Sequence, residues 1–423
     1  MDINVQKYGG SSLATEQQIR SVADRVAHSH RGGAATAVVV SARGSTTDDL
    51  IRSAHAVSGV PCSREADKLL ATGELASAAL LTIALQERGV PSVSLSGPEA
   101  GMRAEGRHGA GLVTAVDPGP VRGVLERGHV AVIAGFQAQG PGGEVVTLGR
   151  GGSDTSAVAL AVTHGALACE IFTDVEGVHR ADPRLVHGAG VLPAVDSALV
   201  IEMAASGARV MHPRAVELAA SHATDIVVRH SAGRGAGTTI VGRSEMSHTP
   251  MTLEGSAHIT ALTHELATAQ VVIRAARRSP QLRISEVEVL GALADRRIPV
   301  DSVNWWSPSR GDVQMSFCVP AAELDEAYGA LEQIVSARGG AVEARASLGR
   351  VSIVGTGLFT DTGITVSAIN ELAANHIATE GVSCSPLRIS LLVREDRVRD
   401  AVIALYRKFG LETDEQGAEL AVA

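Results

Sequence analysis

The chain has 423 residues, which at about 150 residues per domain is enough for two or three domains, each with a sizeable core. With 45 % hydrophobic and 20 % charged residues it is not a disordered polypeptide. A formal net charge of −9, without any basic tract, argues against a general nucleic-acid binder.

A first strand, Ile3 to Val5, runs into Lys7-Tyr8-Gly9-Gly10-Ser11-Ser12. Ile19, Val22, Ala23 and Val26 recur at helical spacing and predict a helix from Glu16 to Ala27. The β-branched run Ala37 to Val40 predicts a strand of a buried parallel sheet, ending at Ser41. Helix Asp67 to Gln86, strand Ser92 to Leu95, helix Val121 to Glu126 and strand Val130 to Ala134 continue the alternation. A hairpin around Gly140 to Gly143 leads to strand Val145 to Leu148, helix Asp154 to Thr163 and strand Cys169 to Phe172. Helices Ser197 to Ala205 and Pro213 to Ser221 and strand Asp225 to Arg229 complete an α/β pattern that predicts a three-layer domain over 1–245.

The polar stretch Arg243 to Ser256 reads as a linker, and 246–262 is expected to connect this domain to the C-terminal part of the chain through a linker and a strand. That C-terminal part repeats weakly: Val287, Leu293, Ala294, Ile298 and Val303 return 79 residues later as Val366, Leu372, Ala373, Ile377 and Val382. Each copy reads as a βαββαβ unit, so two small modules are expected over 263–343 and 344–415. Aromatic residues are sparse, yet both tryptophans are adjacent, at Trp305 and Trp306. No run approaches about 18 uninterrupted apolar residues, and Met1 to Tyr8 shows no basic-then-apolar signal pattern. Cys62, Cys169, Cys318 and Cys384 are scattered, without a C-x-x-C, and are expected to be buried thiols of a cytosolic protein rather than a disulfide frame or a zinc site.

Several loops suit anions. Lys7 beside Gly9-Gly10 is either a plain turn or a backbone cradle for a phosphate with a lysine at its edge. Thr147-Leu148-Gly149-Arg150-Gly151-Gly152-Ser153-Asp154-Thr155 is a strand entering a helix through a glycine turn. Ser153 or Asp154 serves as a helix cap on one reading, but a cap does not account for an arginine between glycines. Thr173-Asp174-Val175-Glu176-Gly177-Val178 and Asp182-Pro183-Arg184 follow a strand end, where ligands contact open α/β sheets and where Asx and Pro turns are also common. Ser41 with Thr46-Thr47-Asp48 lies in a similar place. Glu74, after Gly73, is either an exposed helical glutamate or a receptor for an ammonium group. There is no Walker-type or dinucleotide-type glycine motif, no Ser-His-Asp spacing and no metal-ligand set. Together these loops suit phosphoryl transfer by positioning and charge neutralisation.

In order and spacing, the runs Val39 to Leu50, Leu70 to Glu74, Thr147 to Thr155 and Cys169 to Arg184 resemble the aspartate kinases: an amino-acid-kinase fold followed by two ACT modules. The resemblance implies transfer of the ATP γ-phosphoryl group to the β-carboxylate of L-aspartate, with magnesium accompanying ATP as co-substrate. It implies that Lys7, Asp154 and Arg150 are catalytic, and that Ser41, Thr47, Glu74, Arg150, Gly152, Ser153 and Asp154 hold aspartate. It gives Lys7, Tyr8, Gly9, Gly10, Thr173, Asp174, His179, Asp182, Arg184 and Arg209 to ATP, and a homo-oligomer formed through the ACT modules. Neither nucleic acid nor membrane is an expected partner.

The chain also departs from the family. Arg209 stands where the family has lysine and His179 where it has tyrosine. Arg278-Ser279-Pro280-Gln281 replaces an effector-binding turn, and Trp305-Trp306 falls where a Gln-Asn pair is usual. Asp361-Thr362-Gly363 and Val382-Ser383-Cys384-Ser385-Pro386 replace the corresponding segments of the second module. These changes predict lost or altered lysine and threonine feedback, as in an enzyme of a specialised pathway, with the tryptophan rings filling the effector site. A kinase of another amino acid and a catalytically weak sensing subunit are the alternatives.

Overall fold

The computed structural model describes residues 3–208, 210–242, 257–275, 284–306 and 313–412. Arg209, most of the expected linker and the Arg278 to Gln281 turn lie outside the described residues.

The first half runs β1 (Ile3–Tyr8), α1 (Glu16–Arg31), β2 (Ala35–Val40), α2 (Thr46–Val57), α3 (Ser63–Glu87), β3 (Ser92–Leu95), β4 (Met102–Glu105), β5 (Leu112–Val116) and α4 (Gly119–Glu126). It continues with β6 (Val130–Ala134), β7 (Gln137–Gln139), β8 (Val145–Thr147), α5 (Gly152–His164), β9 (Ala168–Thr173), β10 (Ala194–Asp196), α6 (Ser197–Ala205), α7 (Pro213–Ser221), β11 (Asp225–His230) and β12 (Thr238–Val241). Eight strands form one sheet in the order β10-β12-β11-β9-β1-β2-β6-β3. Its neighbours are parallel except β11 with β12.

The expected three layers are present because the central strands are apolar on both faces. Val38 and Val40 join Ile19, Val22 and Val26 of α1 and Leu81 and Leu85 of α3. Ala37 and Val39 point the other way, into a core with α4, α5, α6 and α7. Thr15 starts α1 with a capping box to Gln18. Among the described residues α3 is the one helix long and apolar enough to cross a membrane, but Ala78, Leu81 and Leu85 make it a core helix here.

Two features lie outside the expectations from sequence. The short strands β4, β5, β7 and β8 make a separate sheet, order β5-β4-β7-β8, against the first domain. The segment after Ser41 is the helix α2, which buries none of its residues.

The second half comprises β13 (His258–Ala275), α8 (Glu286–Asp295), β14 (Asp301–Trp306), β15 (Val313–Pro320), α9 (Leu324–Ser336), β16 (Ala341–Thr356), α10 (Thr362–Ala374), β17 (Gly381–Cys384), β18 (Arg388–Arg394) and α11 (Val398–Lys408). These strands form a single sheet, β14-β15-β13-β16-β18-β17. β13 and β16 each traverse both modules, with irregular register near Ala267 (φ 55°) and Ser347 (φ 58°). The first half of β13 serves as the fourth strand of the second module, so that module is completed by residues preceding the first. The expected boundaries at 262/263 and 343/344 therefore fall inside β13 and β16. Of the repeated positions, Leu293 and Leu372, and Ile298 and Ile377, are buried. Val287, Val303, Val366 and Val382 are exposed.

The halves meet along β13. The Leu262 N–H donates to the Arg180 carbonyl at 2.7 Å. Ala181 and Ala189 enter the core of the second module. A Cβ on Gly207 would lie 2.1 Å from the His264 carbonyl oxygen. Glu202 of α6 pairs with Arg388 of β18 at 3.1 Å.

Candidate active site

Parallel pairing of β2, β1, β9 and β11 brings their C-terminal ends to one edge, the usual place for a ligand in an open α/β sheet. Here the Lys7–Gly10, Ser41–Ala42 and Thr173–Asp174 segments assemble. The Gly9 N–H donates to the Phe172 carbonyl at 3.2 Å and the Ser41 N–H to that of Tyr8 at 3.1 Å. The Gly44 N–H donates to the Gly10 carbonyl at 3.0 Å, and a Cβ on Gly10 would lie 2.5 Å from the Ala42 carbonyl oxygen. Glycine is required at position 10 by this close approach.

Lys7 is 9 % exposed, and its Nζ lies 2.6 Å from Asp154 Oδ1 in the first turn of α5. Gly151 (φ 69°) precedes the first residue of α5, and no side chain caps the helix. Its N-terminal partial charge therefore adds to that of Lys7. Ser153 is buried against Gly135, whose Cβ position lies 3.0 Å from Ser153 Oγ. Phe136, at φ 68°, turns the chain beside Gly152.

Glu74 is 3 % exposed, not an open helical position. Its Oε1 accepts the Ala42 N–H at 3.0 Å, while Oε2 is buried with no partner among the described residues. Burial pushes its carboxyl up to about 7 from an ordinary 4.5, against the lowering effect of the Ala42 hydrogen bond. A buried carboxylate with one oxygen unsatisfied suits a cationic ligand. α2 lies over Gly73, where a Cβ would be 3.4 Å from Thr46 Cγ2, and Thr47 sits in the first turn of α2.

Arg150 is exposed in the turn between β8 and α5. Gly149 (φ 75°) packs so closely that a Cβ would lie 2.8 Å from the Gly109 carbonyl oxygen. The turn is anchored by residues that the motifs did not single out. Asp67 of α3 accepts from Thr147 Oγ1 at 2.6 Å, and Arg214 donates to the Leu148 carbonyl at 2.7 Å. Spacing held a signal for Asp67, which lies seven residues before Glu74 on the same helix face.

The residues expected at the nucleotide are distributed unevenly. Thr173 and Asp174 end β9 beside Gly9, and the Thr173 hydroxyl donates to Asp174 at 3.1 Å. Tyr8 faces away: its ring stacks on Phe172 at 4.7 Å, it is fully buried, and its hydroxyl donates to Gln6 Oε1 at 3.1 Å. Its side chain is core, and only its backbone borders the site. His179 pairs through Nδ1 with the Ala189 carbonyl at 2.9 Å. Asp182 accepts the Arg184 N–H at 2.8 Å and lies 4.0 Å from His264 of β13, and the Arg184 side chain is exposed. His179 and Asp182 thus border the joint between the halves. Arg209 lies outside the described residues.

Trp305 and Trp306 do not act together. β14 alternates them, so Trp305 joins the core of the first module. Trp306 stands 43 % exposed on the helix-free face, at a cavity of about 360 Å³.

The sequence profile of the Amino acid kinase family matches residues 2–230, and that of the ACT domain matches 351–409. The aspartokinase of Thermus thermophilus is 38 % identical over 416 residues, covering 97 % of this chain and 100 % of that protein. The aspartokinase of Mycobacterium tuberculosis is 38 % identical over 423 residues, with 98 % of each chain covered. The solved structure of E. coli aspartokinase III in complex with aspartate and ADP superposes with a TM-score of 0.77 at 23 % identity, covering 97 % of this chain and 100 % of the other.

Proposed function

Because the chain belongs to the aspartokinases of the amino acid kinase family, we propose that it phosphorylates L-aspartate in the cleft between Glu74, Arg150 and Lys7. Glu74 receives the α-ammonium group. Arg150 forks a carboxylate of the substrate, with Ser41, Thr47, Gly152 and Ser153 around it. ATP lies over Gly9 and Gly10 with Thr173 and Asp174 at its side. The β-carboxylate oxygen attacks the γ-phosphorus, the bond to the ADP oxygen breaks, and 4-phospho-L-aspartate forms. The attacking carboxylate is already deprotonated, so no general base is needed. Catalysis consists of alignment and charge: Lys7 and the N-terminus of α5 face the negative charge on the transferred group, and Asp154 holds Lys7 in place. The observation that carries this reading is the pairing of buried Lys7 with Asp154, together with a buried, half-satisfied Glu74 that accepts the Ala42 N–H at the end of the neighbouring strand.

Among the described residues no three His, Cys, Asp or Glu side chains converge as a metal cage. We propose that an ion of the magnesium type accompanies ATP, held mostly by nucleotide phosphates and water. Asp174, at the end of β9 beside Gly9, would help to hold such an ion, which would neutralise charge on the phosphate oxygens.

The test is turnover of L-aspartate and L-glutamate by the wild-type chain and by Lys7→Ala. Aspartate turnover that falls at least about a thousandfold on substitution, with melting unchanged, is expected. Persisting activity in Lys7→Ala overturns the mechanism, and glutamate turnover without aspartate turnover overturns the substrate.

We further infer altered feedback by lysine and threonine, which suits a role in a specialised pathway. Asp361 supports this, because its side chain accepts the Gly363 N–H at 2.9 Å and so occupies the N-terminus of α10 with the protein's own carboxylate. A homo-oligomer formed through the six-stranded sheet is proposed with it.

A further inference from the structure

Asp67 is 2 % exposed inside the first domain, and phosphoryl transfer makes no direct use of it. Its Oδ1 accepts the Thr147 hydroxyl at 2.6 Å. Its Oδ2 accepts the Thr147 N–H at 2.9 Å and the Gly109 N–H at 3.2 Å, and lies 2.8 Å from His108 Nδ1. An ionised carboxylate has about four acceptor positions, so this one is saturated and fixed.

The partners come from the loop after β4 and from the last residue of β8. Gly109 follows β4, and Thr147 ends β8. The Gly111 N–H donates to the Thr147 carbonyl at 2.9 Å, and Arg214 donates to the carbonyls of Leu148 and Gly111 at 2.7 and 2.9 Å. Directly after this clamp comes Gly149-Arg150-Gly151-Gly152, with Gly149 and Gly151 at φ 75° and 69°. Glycine-rich backbone gives little rigidity of its own. Among the described residues Arg150 makes no hydrogen bond or ion pair. The place of its guanidinium is therefore set by where the clamp holds the start of the turn at Thr147 and Leu148 and where α5 holds its end.

The clamp and Glu74 stand on one helix. Asp67 and Glu74 are separated by two turns of α3, about 10 Å along its axis, and face the same side. α3 is buried through this stretch, with Ala71 at 2 % exposure and its carbonyl accepting from Gln137 Nε2 at 3.0 Å. We propose that Asp67 is a positioning residue for the amino-acid substrate: through Thr147, Gly109 and His108 it fixes the Arg150 turn at the separation from Glu74 that an α-amino dicarboxylate spans. Specificity for the substrate's length then comes from a ruler in α3, and the nucleotide loops at β1 and β9 are independent of it.

The inference rests on the placement of aspartate between Glu74 and Arg150, so Arg150→Ala is measured alongside. The full chain is assayed as Asp67→Asn, Thr147→Val and Thr147→Ser for both KM values, kcat and melting. Asp67→Asn and Thr147→Val should raise KM for aspartate about ten- to a hundredfold, the effect of losing hydrogen bonds to one charged group, and leave KM for ATP within about twofold. Thr147→Ser, which keeps the hydroxyl, should retain the wild-type KM. Loss of melting temperature with an unchanged KM for aspartate overturns the proposal, as does an equal rise in both KM values. If Asp67→Asn does not fold, the Thr147→Val and Thr147→Ser pair decides by the same two criteria. An Arg150→Ala chain with unchanged KM for aspartate overturns the underlying site reading. A raised KM there, with Thr147→Val at wild-type values, overturns the role of Asp67 alone.

Discussion

Replacing Glu74 by glutamine should trade substrate affinity for stability, with a sign fixed by pH. In the folded chain burial holds this carboxyl at about 7, against an ordinary 4.5. Below pH 4.5 the group is neutral whether the chain is folded or not, and it costs nothing. Between 4.5 and about 7 the unfolded chain ionises first and stability falls. Above about 7 the charge is present in both states and the full cost remains. That interval, at about 1.4 kcal/mol per pH unit, amounts to about 3 kcal/mol. Glutamine keeps the acceptor for the Ala42 N–H and carries no charge. Glu74→Gln should therefore gain up to about 3 kcal/mol on the wild type between pH 5 and pH 8. Denaturant unfolding of both chains at these two pH values reads the difference directly. In the same pair, kcat/KM for aspartate should fall in the wild type as pH drops through about 7, and be low and flat in the variant. A stability difference that does not change with pH would show that the carboxyl is not held neutral by burial. A wild-type kcat/KM that is level across pH 7 would remove Glu74 from ammonium binding.

Gly151→Ala places a Cβ 2.2 Å from the His212 Cβ at a positive φ; the backbone alone costs about 1–2 kcal/mol, and displacement of the Arg150 turn should raise KM for aspartate more than KM for ATP, as steady-state kinetics can check. Tyr8→Phe removes only the hydrogen bond to Gln6, so it should cost about 1 kcal/mol in unfolding experiments and leave KM for ATP unchanged; a severalfold rise in that KM would return the ring to the nucleotide site. In kinase assays with lysine and threonine at millimolar concentration, singly and together, activity should persist, and full inhibition by the pair would end the altered-feedback reading.

Much of the first domain is legible in the linear order. Ala37 to Val40 is apolar at every position because both faces of β2 are covered, and the α1 stripe reads at helical spacing because one face of it is buried. α2 carries Leu50, Ala54 and Val57 at helical spacing, but it buries none of its residues and lies where the motif residues after Ser41 read as a loop. The motif loops are recognisable for a similar reason: glycine, lysine and arginine beside strand ends have few purely structural uses. Which way each side chain turns is not recognisable. Tyr8 belongs to a loop that reads as nucleotide-binding, but strand alternation sends its ring to Phe172. Trp305 and Trp306 read as one feature, and alternation divides them between core and open face.

By itself, the order of residues determined the alternation of strands and helices, the internal repeat and the set of charged groups at strand ends. These are local facts, set by the period of burial and by backbone freedom at glycine. Tertiary structure alone decided that β13 supplies a strand to both modules, that Glu74 is buried deeply enough to titrate near neutrality, and that Asp67 clamps the Arg150 turn. Each of these depends on which distant segments come into contact, and spacing along a chain does not record that.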